Sequence, residues 1–155
     1  MYICPPRRIL GETGKRFVIC KVMFNISTKS GYGFIVMLEL AKNYKKNYMS
    51  LSDIAREKKL SSGYLLQIVQ PLVKAKLIKS KEGKGGGYRL AKDPNKISVL
   101  EILETLEGSV SLVKCLVKDH KKCPAFSVCN AKDIWPVVLG DVRKVLGKRK
   151  IGDLI

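Results

Sequence analysis

Histidine is nearly absent from this chain, with His120 alone among 155 residues, and acidic side chains are scarce, 13 Asp and Glu against 30 Lys and Arg. No Ser, His and Asp set, no paired-carboxylate motif and no nucleotide-binding loop is evident, so an enzyme is the least supported class, and no small-molecule substrate is predicted. Long apolar runs are missing as well. No stretch approaches the roughly 20 apolar residues that cross a bilayer, which excludes a membrane-spanning helix. Met1 to Val22 lacks the apolar core of a secretory signal and keeps Arg and Lys spread through it, so the expected location is the cytoplasm.

What the chain has in excess is positive charge. A net +17 favours polyanions such as nucleic acid or an anionic membrane. A hydrophobic content of 46% suffices for one compact core, or for a small domain with an appended dimerisation element. The five cysteines are an odd number without an export signal, which argues against a disulfide framework. Three of them, Cys115, Cys123 and Cys129, fall within fifteen residues at C-x7-C-x5-C spacing. Thiolates are soft donors, and Lys114, Lys118, Lys121 and Lys122 nearby lower thiol pKa values. The cluster therefore reads as metal ligands or redox thiols. Inert packing explains Cys115 beside Leu116 and Val117, but gives little reason for thiols in the turn-rich Cys123-Pro124 and Cys129-Asn130. Zinc favours four fixed protein ligands, and the fourth is hard to name.

Along the chain, Met1 to Val22 carries Pro5, Pro6, Gly11 and Gly14 without periodicity and is expected to be irregular. Ser30 to Asn43 sets Phe34, Met37, Leu38 and Ala41 at helical spacing. Ser50 to Asp53 caps a short helix through Lys58, with Leu51, Ile54 and Ala55 on its inner face. Ser61 and Ser62 cap the next, about Gly63 to Lys74, whose Leu65, Ile68, Val69 and Leu72 point inward, and Pro71 is expected to bend its last turn. Two short helices with a tight turn between them make a helix-turn-helix. Leu77 to Ser80 and Gly87 to Leu90 then read as strands joined by the glycine-rich, lysine-bearing Lys81 to Gly86, a wing. Gly85-Gly86-Gly87 lacks the Gly-Lys-Ser/Thr ending of a nucleotide loop. Ser98 to Glu107 repeats the helical pattern with Val99, Ile102, Leu103 and Leu106 and stops at Gly108. A last helix, Ala131 to about Leu146, carries Ile134, Trp135, Val138, Val142 and Val145. Its broad apolar face has no later partner in sequence and is expected to bury against another subunit.

Ile26-Ser27-Thr28-Lys29 with Tyr32, Leu51 to Ala55, Tyr64-Leu65 with Gln67, Gly85 to Ala91, and the three cysteines followed by Trp135 together resemble the Rrf2 family of bacterial winged helix-turn-helix regulators. The resemblance spans about Met23 to Ile155. It implies a mainly helical fold with a small β-hairpin wing, and a homodimer built on a long C-terminal helix. It also implies an iron-sulfur cluster, 2Fe-2S or 4Fe-4S, at Cys115, Cys123 and Cys129, whose state sets DNA affinity. By the same resemblance Met23 looks like the usual start, so the expected division is a 1–22 extension, a 23–92 DNA-binding domain and a 93–155 sensor and dimerisation region. Where the family's iron-sulfur cluster regulator has a histidine ligand this chain has Lys132, and where its nitric-oxide-sensitive repressor has an aspartate it has Gly31. His120, Asp119, Asp133, a further thiol or solvent is then left to complete the set.

For DNA, the helix from Ser61 is expected in the major groove of a duplex, with Ser61, Ser62 and Tyr64 at its start and Gln67 able to pair with adenine. Lys79, Lys81, Lys84 and Arg89 of the wing, with Lys29 and Tyr32 of the first helix, suit phosphate contact. Leu66 and Glu82 stand where the iron-sulfur cluster regulator has a discriminating glutamate and a wing arginine, so its operator does not carry over. The expectation is a homodimeric transcriptional repressor under cluster control. Two rivals remain: a cluster-free regulator of the same family acting by thiol oxidation or a protein partner, and a small iron-sulfur protein that keeps the scaffold without specific DNA binding.

Overall fold

The computed structural model describes residues 7–10, 16–19, 26–113, 116 and 125–155. In the N-terminal stretch, where irregular chain was expected, β1 (Arg7–Leu10) and β2 (Arg16–Ile19) pair antiparallel, Arg7 opposite Ile19 and Leu10 opposite Arg16. The reason is local: Ile9-Leu10 and Phe17-Val18-Ile19 are strand formers on either side of two glycines.

α1 (Thr28–Lys42) begins where Ser27 turns its hydroxyl back to accept the Ser30 N–H. α2 (Leu51–Lys58) and α3 (Ser62–Lys74) start the same way, from Ser50 to the Ser52 N–H and from Ser61 to the Tyr64 N–H. Each cap satisfies one of the amides that a helix start leaves without a partner. α2 ends on Lys59 in the left-handed region, φ 55°, which turns the chain into α3. Pro71 sits inside α3, which nevertheless continues to Lys74. β3 (Ile78–Lys81) and β4 (Gly87–Leu90) form the antiparallel wing with Ile78 opposite Leu90 and Lys79 opposite Arg89. The loop between them needs its glycines: Gly83 and Gly85 have positive φ, and a Cβ on Gly86 would stand 2.3 Å from the Lys81 carbonyl oxygen.

α4 (Val99–Glu107) is capped by Ser98 and closed by Gly108 at φ 86°. After it, α5 (Ile134–Lys148) runs fifteen residues without burying one. The chain then returns: the Ile151 amide donates to the Ile97 carbonyl at 2.9 Å, and Ile151 is fully buried.

The inward faces read from the sequence meet in one core. Met37, Leu40, Ile54, Leu65, Ile68, Leu72 and Ile78 are buried there together with Ile97, Ile102, Leu106 and Ile151. Phe34 and Leu38 pack against its edge. The helix-turn-helix, α4 and the C-terminal turn thus share a single apolar cluster. α1 and α4 touch closely enough that a Cβ on Gly33 would lie 2.3 Å from Leu106 Cδ1. Among the described residues no helix is long and apolar enough to cross a membrane.

Candidate nucleic-acid interface

The starts of α2 and α3 and the tip of the wing surround one cleft of about 470 Å³, bordered by Ser50, Ser52, Ser62, Gly63, Gly86 and Gly87. Two helix N-termini therefore face one space, and their free amides and positive dipole ends suit a phosphate. The cleft stays open because the wing is tied to the start of α2. Met49 and Tyr88 exchange two backbone hydrogen bonds of 2.9 and 2.8 Å. Gly87 makes that approach possible, since a Cβ there would meet the Met49 carbonyl oxygen at 2.3 Å and its φ is +136°.

On α3, Ser61, Ser62, Tyr64, Leu66 and Gln67 are all exposed while Leu65, Ile68 and Val69 hold the helix down. That is the arrangement of a reading helix, one face anchored and the other free to enter a groove. Leu66 also borders the cleft, so an apolar side chain occupies a place suited to a base edge or thymine methyl. Tyr64 is not loose: its ring meets Tyr32 of α1 edge to face, centroids 5.7 Å apart at 84°. Lys79, Lys81, Lys84 and Arg89 are exposed on the wing. Arg89 lies over the Tyr48 ring, 4.7 Å from its centroid, which fixes the guanidinium plane without using its N–H donors.

Lys29 sits differently from the other lysines. Its Nζ donates to the Leu106 carbonyl at 2.8 Å, joining the start of α1 to the end of α4. Beside it, one oxygen of Glu107 accepts from the Ser27 amide at 3.0 Å, from the Ser27 hydroxyl, and from the Ser30 hydroxyl at 2.5 Å. Burial pushes the Glu107 carboxyl pKa up, but the hydrogen bonds from Ser27 and Ser30, with the Lys29 charge, outweigh it and hold the group below its ordinary value. Sequence reasoning found Ser27 as part of a family pattern and Glu107 as a hinge; their union spans 80 residues and leaves no local signal. Tyr48 was missed for the same reason.

The cysteine segment lies largely outside the described residues, Cys115, Cys123 and His120 with it. Cys129 is described: half-exposed, with a free thiol, directly after the short turn Phe126–Val128. Gly31, standing at a family ligand position, is on the exposed side of α1, and a Cβ placed on it would meet no atom within 4 Å. The donor chemistry of three thiolates fits iron and sulfide, and neither Lys132 nor Gly31 supplies a carboxylate or imidazole as the fourth ligand.

A capped helix-turn-helix closed by a glycine-rich hairpin, with a cationic, anion-ready cleft between them, defines a winged helix-turn-helix DNA-binding protein. Residues 26–155 match the family described as Rrf2, iron-dependent transcriptional regulator, and the chain belongs to that family. It is 38% identical over 129 residues to the HTH-type transcriptional regulator CymR of Bacillus subtilis (strain 168), covering 83% of this chain and 88% of the relative. The structure of CymR, the global cysteine regulator of B. subtilis, superposes with a TM-score of 0.70 at 37% identity, covering 85% of this chain and 96% of that one. T. potens IscR superposes with a TM-score of 0.64 at 33% identity, covering 84% and 85%. These relatives are transcriptional regulators; the chain is a DNA-binding regulator and not an enzyme.

Proposed function

We propose that this chain is a homodimeric repressor that reads duplex DNA with α3 and the wing and is switched by chemistry at Cys115, Cys123 and Cys129. The cleft formed by two helix N-termini and Gly86-Gly87, rimmed by exposed lysines, is the observation that carries the DNA reading. In it Ser61, Ser62, Tyr64 and Gln67 address groove and backbone, and Lys79, Lys81, Lys84 and Arg89 neutralise phosphates. The dimer reading rests on α5, where Ile134, Val137, Val138 and Val145 are exposed along one helix.

The cofactor assigned to the three cysteines is an iron-sulfur cluster, which when bound supplies a redox-responsive group whose state or loss alters local charge and chain constraint. His120 is the candidate fourth ligand from within the loop. The chain's own residues carry that change to DNA. Residues 109 to 130 leave the winged domain at Gly108, directly after Glu107. Glu107 clamps Ser27 and Ser30, and Lys29 clamps Leu106, at the first turn of α1. One turn further on, Tyr32 abuts Tyr64 of the reading helix. A pull on the end of α4 therefore reaches α3 through two side-chain contacts, which is the kind of two-state element that regulation requires.

A second reading is a cluster-free regulator acting by thiol oxidation or a protein partner. It is favoured by the likeness to the global cysteine regulator and by Lys132 and Gly31 standing where family ligands are expected. Anaerobic purification of the full chain, with iron and sulfide counted in wild type and Cys123→Ala, separates the two. Iron and sulfide present in wild type and lost in the variant support the cluster. A colourless wild type after anaerobic reconstitution moves the assignment to thiol chemistry.

A further inference from the structure

We propose that Lys45, Lys46, Lys79 and Arg89 form a second backbone-phosphate site, on the face of the wing away from α3, that takes duplex DNA flanking the segment read by α3. The proposal rests on the DNA reading above and extends its footprint.

The four cations border a separate cleft of about 410 Å³, completed by Tyr44, Leu90 and Ala91, and it shares no lining residue with the cleft at the α2 and α3 N-termini. Strand geometry explains the separation. Lys79 is directly opposite Arg89, so their side chains leave the same face of the hairpin, and alternation sends Tyr88 to the other, where it borders the α3 cleft. The Met49–Tyr88 bridge places Tyr48 beside Arg89, and the ring holds the guanidinium at 4.7 Å. Arg89 is thereby oriented in advance while its five donors stay available.

Charge identifies the ligand. Lys42, Lys58, Lys92 and Arg143 each pair with a carboxylate, but none of the ion pairs among the described residues includes Lys45, Lys46, Lys79 or Arg89. The negative end of α1 accounts for attraction of cations from the turn that follows it. It does not account for Lys79 and Arg89 converging from the opposite side. Four like charges around one cleft repel one another, a cost that a bound polyanion removes. No helix start or glycine-rich loop lines this cleft, so it lacks the cradle that a compact nucleotide phosphate uses. Flexible ammonium groups and one fixed guanidinium suit an extended phosphodiester backbone instead. The wing's two faces then grip one duplex, the near face at the read segment and the far face beyond it.

The test is fluorescence anisotropy of the full chain on a random-sequence duplex of about 40 bp over a range of KCl concentrations. It compares wild type, Lys45→Ala/Lys46→Ala, Lys45→Arg/Lys46→Arg, and a charge-matched control, Lys74→Ala/Lys96→Ala, whose lysines are exposed outside both clefts. Removing one phosphate contact should reduce the slope of log affinity against log salt by about 1, and weaken binding about eightfold near 0.1 M salt. The alanine pair is expected to show this, the arginine pair and the control to stay within about twofold of wild type, the spread of ordinary error on such constants. An alanine pair with the wild-type slope, or a control that loses as much, overturns the proposal and leaves the cleft to an acidic protein surface or to bulk charge. A wild type that does not bind the duplex overturns the DNA reading itself, a result distinct from both.

Discussion

α1 and α5 are both fifteen residues long, yet α1 buries seven of its residues and α5 buries none. The difference is not one of apolar content. Val36, Met37, Leu40 and Ala41 of α1 meet α3 and α4 within the same chain, whereas Val137 and Val145 of α5 remain 65% and 60% exposed. α1 is thus complete within one chain, while α5 presents a face whose burial requires something else. The winged domain is built to be rigid on its own, and the C-terminal helix is built to be finished by assembly.

That contrast can be broken from either side. The largest effect is expected in the shared core: Ile68→Ala removes a fully buried side chain of α3 and should cost about 2–5 kcal/mol, read from a denaturant midpoint. A midpoint that hardly moves would mean that the core is not shared as described. Gly87→Ala comes next. A Cβ there meets the Met49 backbone and must adopt φ +136°, so roughly 1–3 kcal/mol of stability is expected to go, together with DNA affinity, because the wing no longer closes on α2. Val145→Asp on α5 sharpens the other half. It should leave the monomer's fold in place by circular dichroism, within about 0.5 kcal/mol of stability for an exposed site, and shift sedimentation from dimer to monomer. Retention of the dimer would leave α5's apolar face unexplained.

The smallest effect concerns pH. Burial pushes the Glu39 carboxyl pKa up, but the hydrogen bonds and charges of Lys42 and Lys58, each 2.9 Å away, outweigh it and hold the group low. Glu107 is lowered in the same sense by Ser27 and Ser30. A carboxyl with a lowered folded pKa contributes stability that is fully present above its unfolded value near 4.5 and is lost as pH falls through the lowered pKa. Unfolding midpoints of wild type and Glu39→Gln should therefore differ at pH 6 and converge as pH drops below 4, the normal carboxylate range having been passed. A gap that widens on acidification would contradict the assigned sign.

Much of the winged domain was legible because its signals are local. Ser50, Ser61 and Ser98 announce helix starts, Gly108 a stop, and the spacing of Leu65, Ile68, Val69 and Leu72 a buried stripe; all stand where the pattern placed them. The return of Ile151 to the core was not legible. It is a single apolar residue after a basic run, with no period to betray it, and its burial depends on Ile97, more than fifty positions earlier. The contacts that organise the candidate site share this character. Glu107 reaches Ser27 and Ser30, Arg89 finds Tyr48, and Lys79 converges with Lys45, all through tertiary folding that composition and spacing do not encode. The cysteine triplet is the reverse case, conspicuous in sequence and placed by chemistry more than by geometry.

The account turns on the clamp between Glu107 and the start of α1, because it joins the cysteine segment to the reading helix. Its most direct test is the affinity of wild type and Glu107→Ala for duplexes that wild type enriches from a random pool, each measured anaerobically and after exposure to air. Wild-type affinity should differ between the two conditions by about 5- to 150-fold, the usual size of coupling between sites, and the variant should bind equally in both. A variant that keeps the full wild-type difference would contradict the clamp as the route of control.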